Sequence, residues 1–289
     1  ELVSLDVNAI HVSVYVSVAF FYFLVRKDKT AIEIAATIIL FLMIFLLSSK
    51  NIIITFILLL LIYYFFFAAI SFRSRVGQLA IFFLFLVTVF YVANIKDRFM
   101  IEYDTIMTDG TVNEELSRGE EKVYNVSVRQ AWCNDAFKEN DYFPGTAFRV
   151  YQLRLFTKML LEDDIFWTGY GLNASYSVIM KRTIEKGLFL GDEKNKGYQN
   201  RNFHNQYVQN FAELGIVGLL LLAAILLVNL KNAFLYKDFV HISFAVLMIS
   251  LFLTESFLWR QRGVTYFTVM YCLLNAGFQW KAPIIIKKK

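Results

Sequence analysis

The chain has 289 residues, of which 57% are hydrophobic and 18% charged, with mean hydropathy +0.50 and 30 phenylalanines. That composition excludes an ordinary soluble domain and points to a chain built for a bilayer. The net charge of +5 comes with no nucleic-acid signature, no CxxC or HExxH spacing and no Walker or GxGxxG phosphate loop, and three histidines argue against a histidine-based metal site.

A helix needs about 20 mostly apolar residues to cross the hydrocarbon layer. Seven such runs occur, roughly 9–25, 30–49, 52–71, 76–95, 214–230, 239–258 and 264–280. Only two prolines occur in the chain, so the runs read as uninterrupted helices, with no Gly/Pro break, and not as barrel strands. The expected fold is an all-α polytopic membrane protein: seven transmembrane helices and one large, mainly helical extracytoplasmic loop. Its parts are 1–95 with helices one to four, the loop domain 96–211, 212–280 with helices five to seven, and a basic cytoplasmic tail at 281–289.

Charge sets the orientation. The segment 96–211 carries 17 of the 24 acidic and 15 of the 29 basic residues and is nearly neutral. Eleven cations (Arg26, Lys27, Lys29, Arg73, Arg75, Lys231, Lys237, Lys281, Lys287, Lys288 and Lys289) follow the odd-numbered runs, and three (Lys50, Arg260 and Arg262) follow the even ones. The positive-inside rule then places the loop outside, in the periplasm of a bacterial inner membrane. The first helix consequently starts outside, at Glu1-Leu2-Val3-Ser4, and further helices are expected upstream. Cys133 in the loop and Cys272 in the seventh run are not placed to bridge.

Polar residues at a membrane boundary are expensive and therefore informative. The string Asn202-Phe203-His204-Asn205-Gln206-Tyr207-Val208-Gln209-Asn210-Phe211-Ala212-Glu213-Leu214-Gly215 runs from the loop into the fifth helix. At helical spacing Asn205, Gln209 and Glu213 share a face, so a polar stripe descends beside a histidine. This string resembles the signature of the O-antigen ligase and polymerase family, a loop His followed by Asn, an aromatic and Gln, leading into a helix that opens with Glu-Leu-Gly. A second region, from Phe148-Arg149 through Arg154 to Gly169-Tyr170-Gly171, is similar to the family's arginine-bearing helix and Gly-x-Gly turn. Leu153 stands where relatives carry an aromatic, and the spacing leaves Arg149 and Arg154 both open as the family arginine. Ser49-Lys50 and the segment Glu255 to Gly263 extend the resemblance, which on these motifs covers the second helix to the seventh.

The resemblance implies an inverting, metal-independent, cofactor-free transfer of a glycan from undecaprenyl diphosphate to an acceptor, lipid A-core for a ligase or a second carrier-linked repeat for a polymerase. In it, His204, Arg149 and Arg154 would be catalytic. Lys50, Arg260, Arg262, Asn205 and Tyr207 would bind substrate diphosphate, with Glu213, Glu255, Gly169 and Gly171 in support. The chemistry agrees: diphosphate leaves readily once its charge is neutralised, a guanidinium fork grips phosphate at two points, and an imidazole, titrating near about 6.5 in water, can take the acceptor proton. Each assignment has a plainer competitor. Arg149 and Arg154 could pair with loop carboxylates, His204 could cap or pack, Arg260 and Arg262 could snorkel to lipid headgroups, and Glu255 could sit in a structural ion pair. The acidic pair Glu102 and Asp104 is a weak metal candidate in a loop full of carboxylates. A transporter or flippase is the different-class alternative.

Overall fold

The computed structural model describes residues 8–47, 49–68, 71, 73, 76, 77, 80, 83, 84, 100, 103–117, 122–192, 197–199 and 201–280. In chain order the elements are α1 (Ala9–Val25), α2 (Ala31–Leu46), α3 (Lys50–Ile62), β1 (Thr111–Val112), β2 (Tyr124–Asn125), α4 (Val128–Cys133), β3 (Asp141–Tyr142), α5 (Gly145–Glu162), α6 (Ser175–Glu185), α7 (Gln206–Leu235), α8 (Phe239–Phe252) and α9 (Gln261–Trp280). They divide into two compact units, Glu1–Ala69 with Leu220–Lys289, and Ile70–Leu219.

The first unit is helical, and local chemistry sets its helix ends. Asn8 accepts the Ile10 N–H at the start of α1, and Thr30 with Glu33 forms a reciprocal capping box on α2, where Arg26 also pairs with Glu33. A π-helical turn, Tyr63–Phe67, prolongs α3. Lys50–Phe67 and Gln206–Leu235 are long and apolar enough to cross a membrane, while α1, α2 and α8 are shorter apolar helices. On α2 the side chains of Ile32, Ile34, Ile38, Ile39, Leu42 and Leu46 are exposed. Such a surface suits lipid and would be costly in water. Inside, Phe56 meets Phe20 and Phe21 at ring distances of 4.9 and 5.2 Å.

Polar contacts align the helix ends of this unit. Asn51, at the start of α3, donates to the Ser250 carbonyl (2.8 Å) and the Thr254 hydroxyl (3.0 Å) at the end of α8. The start of α1 lies against the start of α9, with Tyr15 and Tyr266 rings 4.2 Å apart. At the opposite end, His241 Nε2 is 2.8 Å from Asn229 Oδ1, which also accepts from Asn275 at 3.0 Å. Lys50, Arg260 and Arg262 therefore share one end of this unit, and Arg26, Lys231 and Lys237 belong to the other.

Helices form over six of the seven apolar runs; the fourth, 76–95, lies largely outside the described residues, as do Glu102 and the tail 281–289. Two expectations need correction. The sixth run does not continue to 258, because α8 ends at Phe252 and the chain turns through a 3-10 helix, Phe257–Trp259, that keeps Glu255 and Ser256 buried. Gly263 permits this turn, since a Cβ there would lie 1.9 Å from the Phe257 carbonyl oxygen. The fifth helix begins at Gln206 and is broken at Gly215, with φ 65° and ψ −163°, so the expectation of unbroken helices fails there.

The second unit has its own core. The stripe Ala147, Phe148, Tyr151, Gln152, Leu155, Phe156 and Met159 on α5 follows helical spacing and is buried. It packs with Phe137, Phe143, Ile165, Ile179, Leu188, Phe203 and Ala212. Beside the helices lies a small sheet in the order β1-β2-β3, with β1 and β2 antiparallel (Thr111 opposite Asn125) and β2 and β3 parallel (Tyr124 opposite Asp141). Its rim is tied to α4 through Asp109, which accepts from the Ser127 hydroxyl and pairs with Arg129. Those hydrogen bonds, Arg129 first and Ser127 second, hold the Asp109 carboxyl below the ordinary range.

Candidate active site

The second unit builds a turn around His204. Asn202 Oδ1 accepts the His204 N–H at 3.0 Å, a local turn that commits the chain before α7 begins. His204 takes a φ of 46°, a left-handed conformation uncommon outside glycine, in which histidine is among the tolerated residues. Asn205 then caps α7, accepting the Val208 N–H on its side chain at 3.1 Å and the Gln209 N–H on its carbonyl at 2.9 Å.

Helix α5 holds the turn from one side. Gln152, buried within it, donates to the Asn202 carbonyl, and the Phe148 ring meets the imidazole edge at 6.0 Å between centroids. Phe203 anchors the turn in the core, 2% exposed and edge-on to Phe156 at 5.9 Å. Burying such a ring is worth about 2–3 kcal/mol.

The polar stripe that the sequence places along the start of α7 is an interior network. Glu213, 8% exposed, accepts from the Ser175 hydroxyl and from Gln209 Nε2, both at 2.9 Å. Gln209 also donates to Ser175 at 3.0 Å and accepts the Phe203 N–H at 3.4 Å. Hydrogen bonds thus run from a buried carboxylate to the backbone N–H of Phe203, the residue immediately before His204. Such a network fixes backbone position, because leaving any member unpaired inside the protein costs about 1–3 kcal/mol.

The Gly-Tyr-Gly turn locks onto the break in α7. Tyr170 N–H donates to the Ala212 carbonyl and Gly171 N–H to the Glu213 carbonyl, both at 2.9 Å, and Ile216 N–H donates to the Phe166 carbonyl at 2.8 Å. The contact needs glycine on both sides. A Cβ on Gly169 would lie 2.3 Å from the Glu213 carbonyl carbon, and one on Gly215 would lie 2.2 Å from the Trp167 carbonyl oxygen. Tyr170 additionally donates to Asp163; burial first, and that bond second, push its phenol well above its usual range.

The two arginines of α5 have different surroundings. Arg149 follows Phe148, lies three residues before Gln152 and donates through Nη1 to the Gly145 carbonyl at 3.0 Å. Arg154 is directed elsewhere. It pairs with Asp135 at 2.9 Å and donates to the Cys133 and Asn134 carbonyls, and Lys158 joins Asp135 at 3.0 Å. The Lys158 hydrogen bond, followed by the charges of Lys158 and Arg154, holds the Asp135 carboxyl below its ordinary range.

The O-antigen ligase family profile matches residues 35–223 of the 289, a stretch that includes Lys50, both α5 arginines, the Gly-Tyr-Gly turn and the His204 string. The chain belongs to the O-antigen ligase family. No curated protein matches it significantly. O-antigen ligase family membership places the chain among bacterial integral membrane proteins of ligase or polymerase type that handle lipid-linked glycans. The match is narrower than the motifs suggest, ending inside α7, so Glu255, Arg260 and Arg262 fall outside it.

His204, Asn205, Tyr207, Glu213, Gly169, Gly171, Arg149 and Arg154 belong to the second unit; Lys50, Glu255, Arg260 and Arg262 belong to the first. There Glu255 is 2% exposed, whereas Lys50, Arg260 and Arg262 are exposed. Sequence reasoning overlooked Gln152, Ser175 and the break at Gly215. Gln152 carried a signal, a polar residue inside an otherwise apolar helical stripe; Ser175 carried none, because its partner is 38 positions away.

Proposed function

We propose that this chain is part of a metal-independent, inverting glycosyltransferase of the bacterial inner membrane, transferring a glycan from undecaprenyl diphosphate to lipid A-core. The observation that carries the reading is the His204 turn. A histidine in left-handed conformation is held by Asn202, Gln152, Phe148 and a buried Glu213–Gln209–Ser175 network, within the stretch that matches the family. A merely packed or capping histidine does not require so much support.

In the proposed reaction an acceptor hydroxyl attacks the anomeric carbon, the bond from that carbon to the diphosphate oxygen breaks, and the hydroxyl proton passes to His204. The diphosphate leaves with the bonding electron pair, and its charge is met by a guanidinium. Arg149 suits that task, one residue from the ring that touches His204. Arg154, fastened to Asp135 and two carbonyls, is proposed to hold the α4–β3 connection, so that its share in the chemistry is indirect. Asn205 and Glu213 act as positioning residues, Tyr207 lines the same turn of α7, and Gly169 and Gly171 seat the Glu213 backbone. In the helical unit Lys50, Arg260 and Arg262 attract the anionic headgroup of the donor, with the loop facing the periplasm.

Purified protein given an undecaprenyl diphosphate-linked glycan tests this reading when lipid A-core and a second carrier-linked repeat are offered separately. Product with lipid A-core alone is expected. Product only with the second repeat would reassign the chain as a polymerase, and movement of the donor across the bilayer without a new glycosidic bond would make it a transporter.

A further inference from the structure

The Gly-Tyr-Gly turn leaves large apolar side chains on the surface at one level of α7. Trp167 and Leu172, on either side of the turn, are 67% and 77% exposed, and Phe166 beside them is exposed too. Backbone contacts fix their level. The Trp167 carbonyl packs on Gly215, the Phe166 carbonyl accepts from Ile216, and Gly171, next to Leu172, donates to the Glu213 carbonyl. The Phe166 ring meets Trp167 at 5.1 Å and Phe211 of α7 at 5.7 Å, which braces the pair against the helix. Single exposed apolar residues are ordinary on a soluble surface; a group of them around one glycine is not.

Helix α7 itself says what covers them. From Val217 an exposed apolar face continues through Leu221, Ile225 and Val228, at the three- and four-residue intervals of one helix face, in a helix long and apolar enough to cross a membrane. No charged residue lies between Glu213 and Lys231. At about 1.5 Å per residue, Gly215 to Lys231 rises about 24 Å, and the lysine stem reaches further, so the two ends match a hydrocarbon layer of about 30 Å. With Lys231 at one boundary of that layer, Gly215 lies at the other, and the turn hydrogen-bonded to its flanks lies there with it. Trp167 and Leu172 alternate with exposed Thr168 and Asn173, a mixture of apolar bodies and polar groups suited to headgroup depth.

We propose that the 166–172 turn is an interfacial foot: Trp167 and Leu172 insert into the lipid surface around α7 and hold the second unit at a fixed height above the bilayer. The occupant of this apolar patch is lipid, because the patch is continuous with the exposed apolar face of a membrane-crossing helix. The inference needs α7 to cross a bilayer and is independent of the transfer chemistry and of the acceptor. It gives the lock at Gly215 a second task, since the hydrogen bonds that join the turn to α7 also fix the depth of the two side chains.

The test uses the full chain in phosphatidylglycerol and phosphatidylethanolamine nanodiscs, with Cys133 and Cys272 replaced by Ser and a spin label on Leu172→Cys, an exposed position that packing does not constrain. Labels on Leu221→Cys, on the exposed face of α7, and on Glu139→Cys, exposed and charged, serve as references for lipid and water. Oxygen concentrates in the bilayer, and a water-soluble nickel chelate stays outside. The Leu172 label should relax with oxygen in preference to nickel, as at Leu221 and opposite to Glu139. A second measurement leaves the foot intact: with Trp132, Trp259 and Trp280 replaced by Phe, Trp167 emission should be quenched by lipid brominated near the headgroup and resist iodide in the water. A Leu172 label that behaves like Glu139, or Trp167 quenched by iodide alone, would overturn the foot. A label shielded from both oxygen and nickel would mean that a protein surface, such as a second copy of the chain, covers the patch, and would overturn it as well. Lipid contact at Leu172 with no transfer to any acceptor supports the foot and counts against the enzymatic reading alone.

Discussion

A single methyl group at Gly215 probes how the site is assembled. With φ 65° and ψ −163° this residue occupies backbone space essentially reserved for glycine, and forcing alanine there costs about 1–3 kcal/mol. The new Cβ would also lie 2.2 Å from the Trp167 carbonyl oxygen and 2.3 Å from its carbon, distances that only backbone movement can relieve. Separating the two segments breaks the bonds from Tyr170, Gly171 and Ile216, each worth about 1 kcal/mol. The combined loss of about 4–6 kcal/mol compares with a total of about 5–15 kcal/mol for a typical domain. Thermal unfolding of Gly215→Ala should therefore shift down by about 10–20 °C, and amide exchange at 165–171 should lose protection. Gly110→Ala is the comparison, because its φ of 73° is also left-handed but nothing lies within 4 Å; it should cost only about 1–2 kcal/mol. Wild-type melting and exchange in Gly215→Ala would refute the argument that the Gly-Tyr-Gly turn is locked onto the break in α7.

Arg149→Lys should reduce transfer about 10- to 150-fold by replacing a two-point phosphate contact with one; Arg154→Lys should act mainly on stability, and Lys50→Arg should be tolerated, an order that steady-state rates check. Single-cysteine labelling at Asp109 and Asn140 should succeed from outside the cell and at Lys231 only from inside; equal access to all three from one side contradicts the orientation. Asp109 and Asp135 both have depressed carboxyl pKa values. Their stabilisation is therefore complete above the ordinary value of 3.8 and disappears as pH falls through the lower folded values. Melting temperature should drop below about pH 4, and the double variant Asp109→Asn, Asp135→Asn should show a shallower drop; an unchanged slope removes these carboxylates from the acid response. His241→Ala should destabilise the helical unit, since its ring nitrogen lies 2.8 Å from Asn229 Oδ1 in a buried network, and should leave the rate per folded molecule unchanged. Loss of rate without loss of stability would assign that network a different role.

Sequence reading located most of the helices, because apolar runs bounded by charge are a direct consequence of bilayer thickness. It missed the break at Gly215, which depends on a turn some 45 positions earlier in the chain and leaves no mark on hydropathy. It extended the sixth helix past Phe252, because Leu253, Phe257 and Leu258 look apolar enough to continue, while the chain turns there and keeps Glu255 buried. Within the site, His204, Glu213 and both glycines of the turn stood out in a recognisable string. Their roles did not. Periodicity put Asn205, Gln209 and Glu213 on one face, and the fold turns that face inward, using Asn205 as a cap and the other two as an internal brace. The small sheet escaped notice because two-residue strands carry no alternation to detect.

The central claim is that His204 takes the acceptor proton, and the direct measurement is single-turnover glycan transfer by His204→Ala beside wild type, with donor binding followed in the same samples. The account predicts folded protein that retains donor affinity but transfers no glycan. Transfer near the wild-type rate, or lost donor binding that fully explains the lost rate, would contradict it.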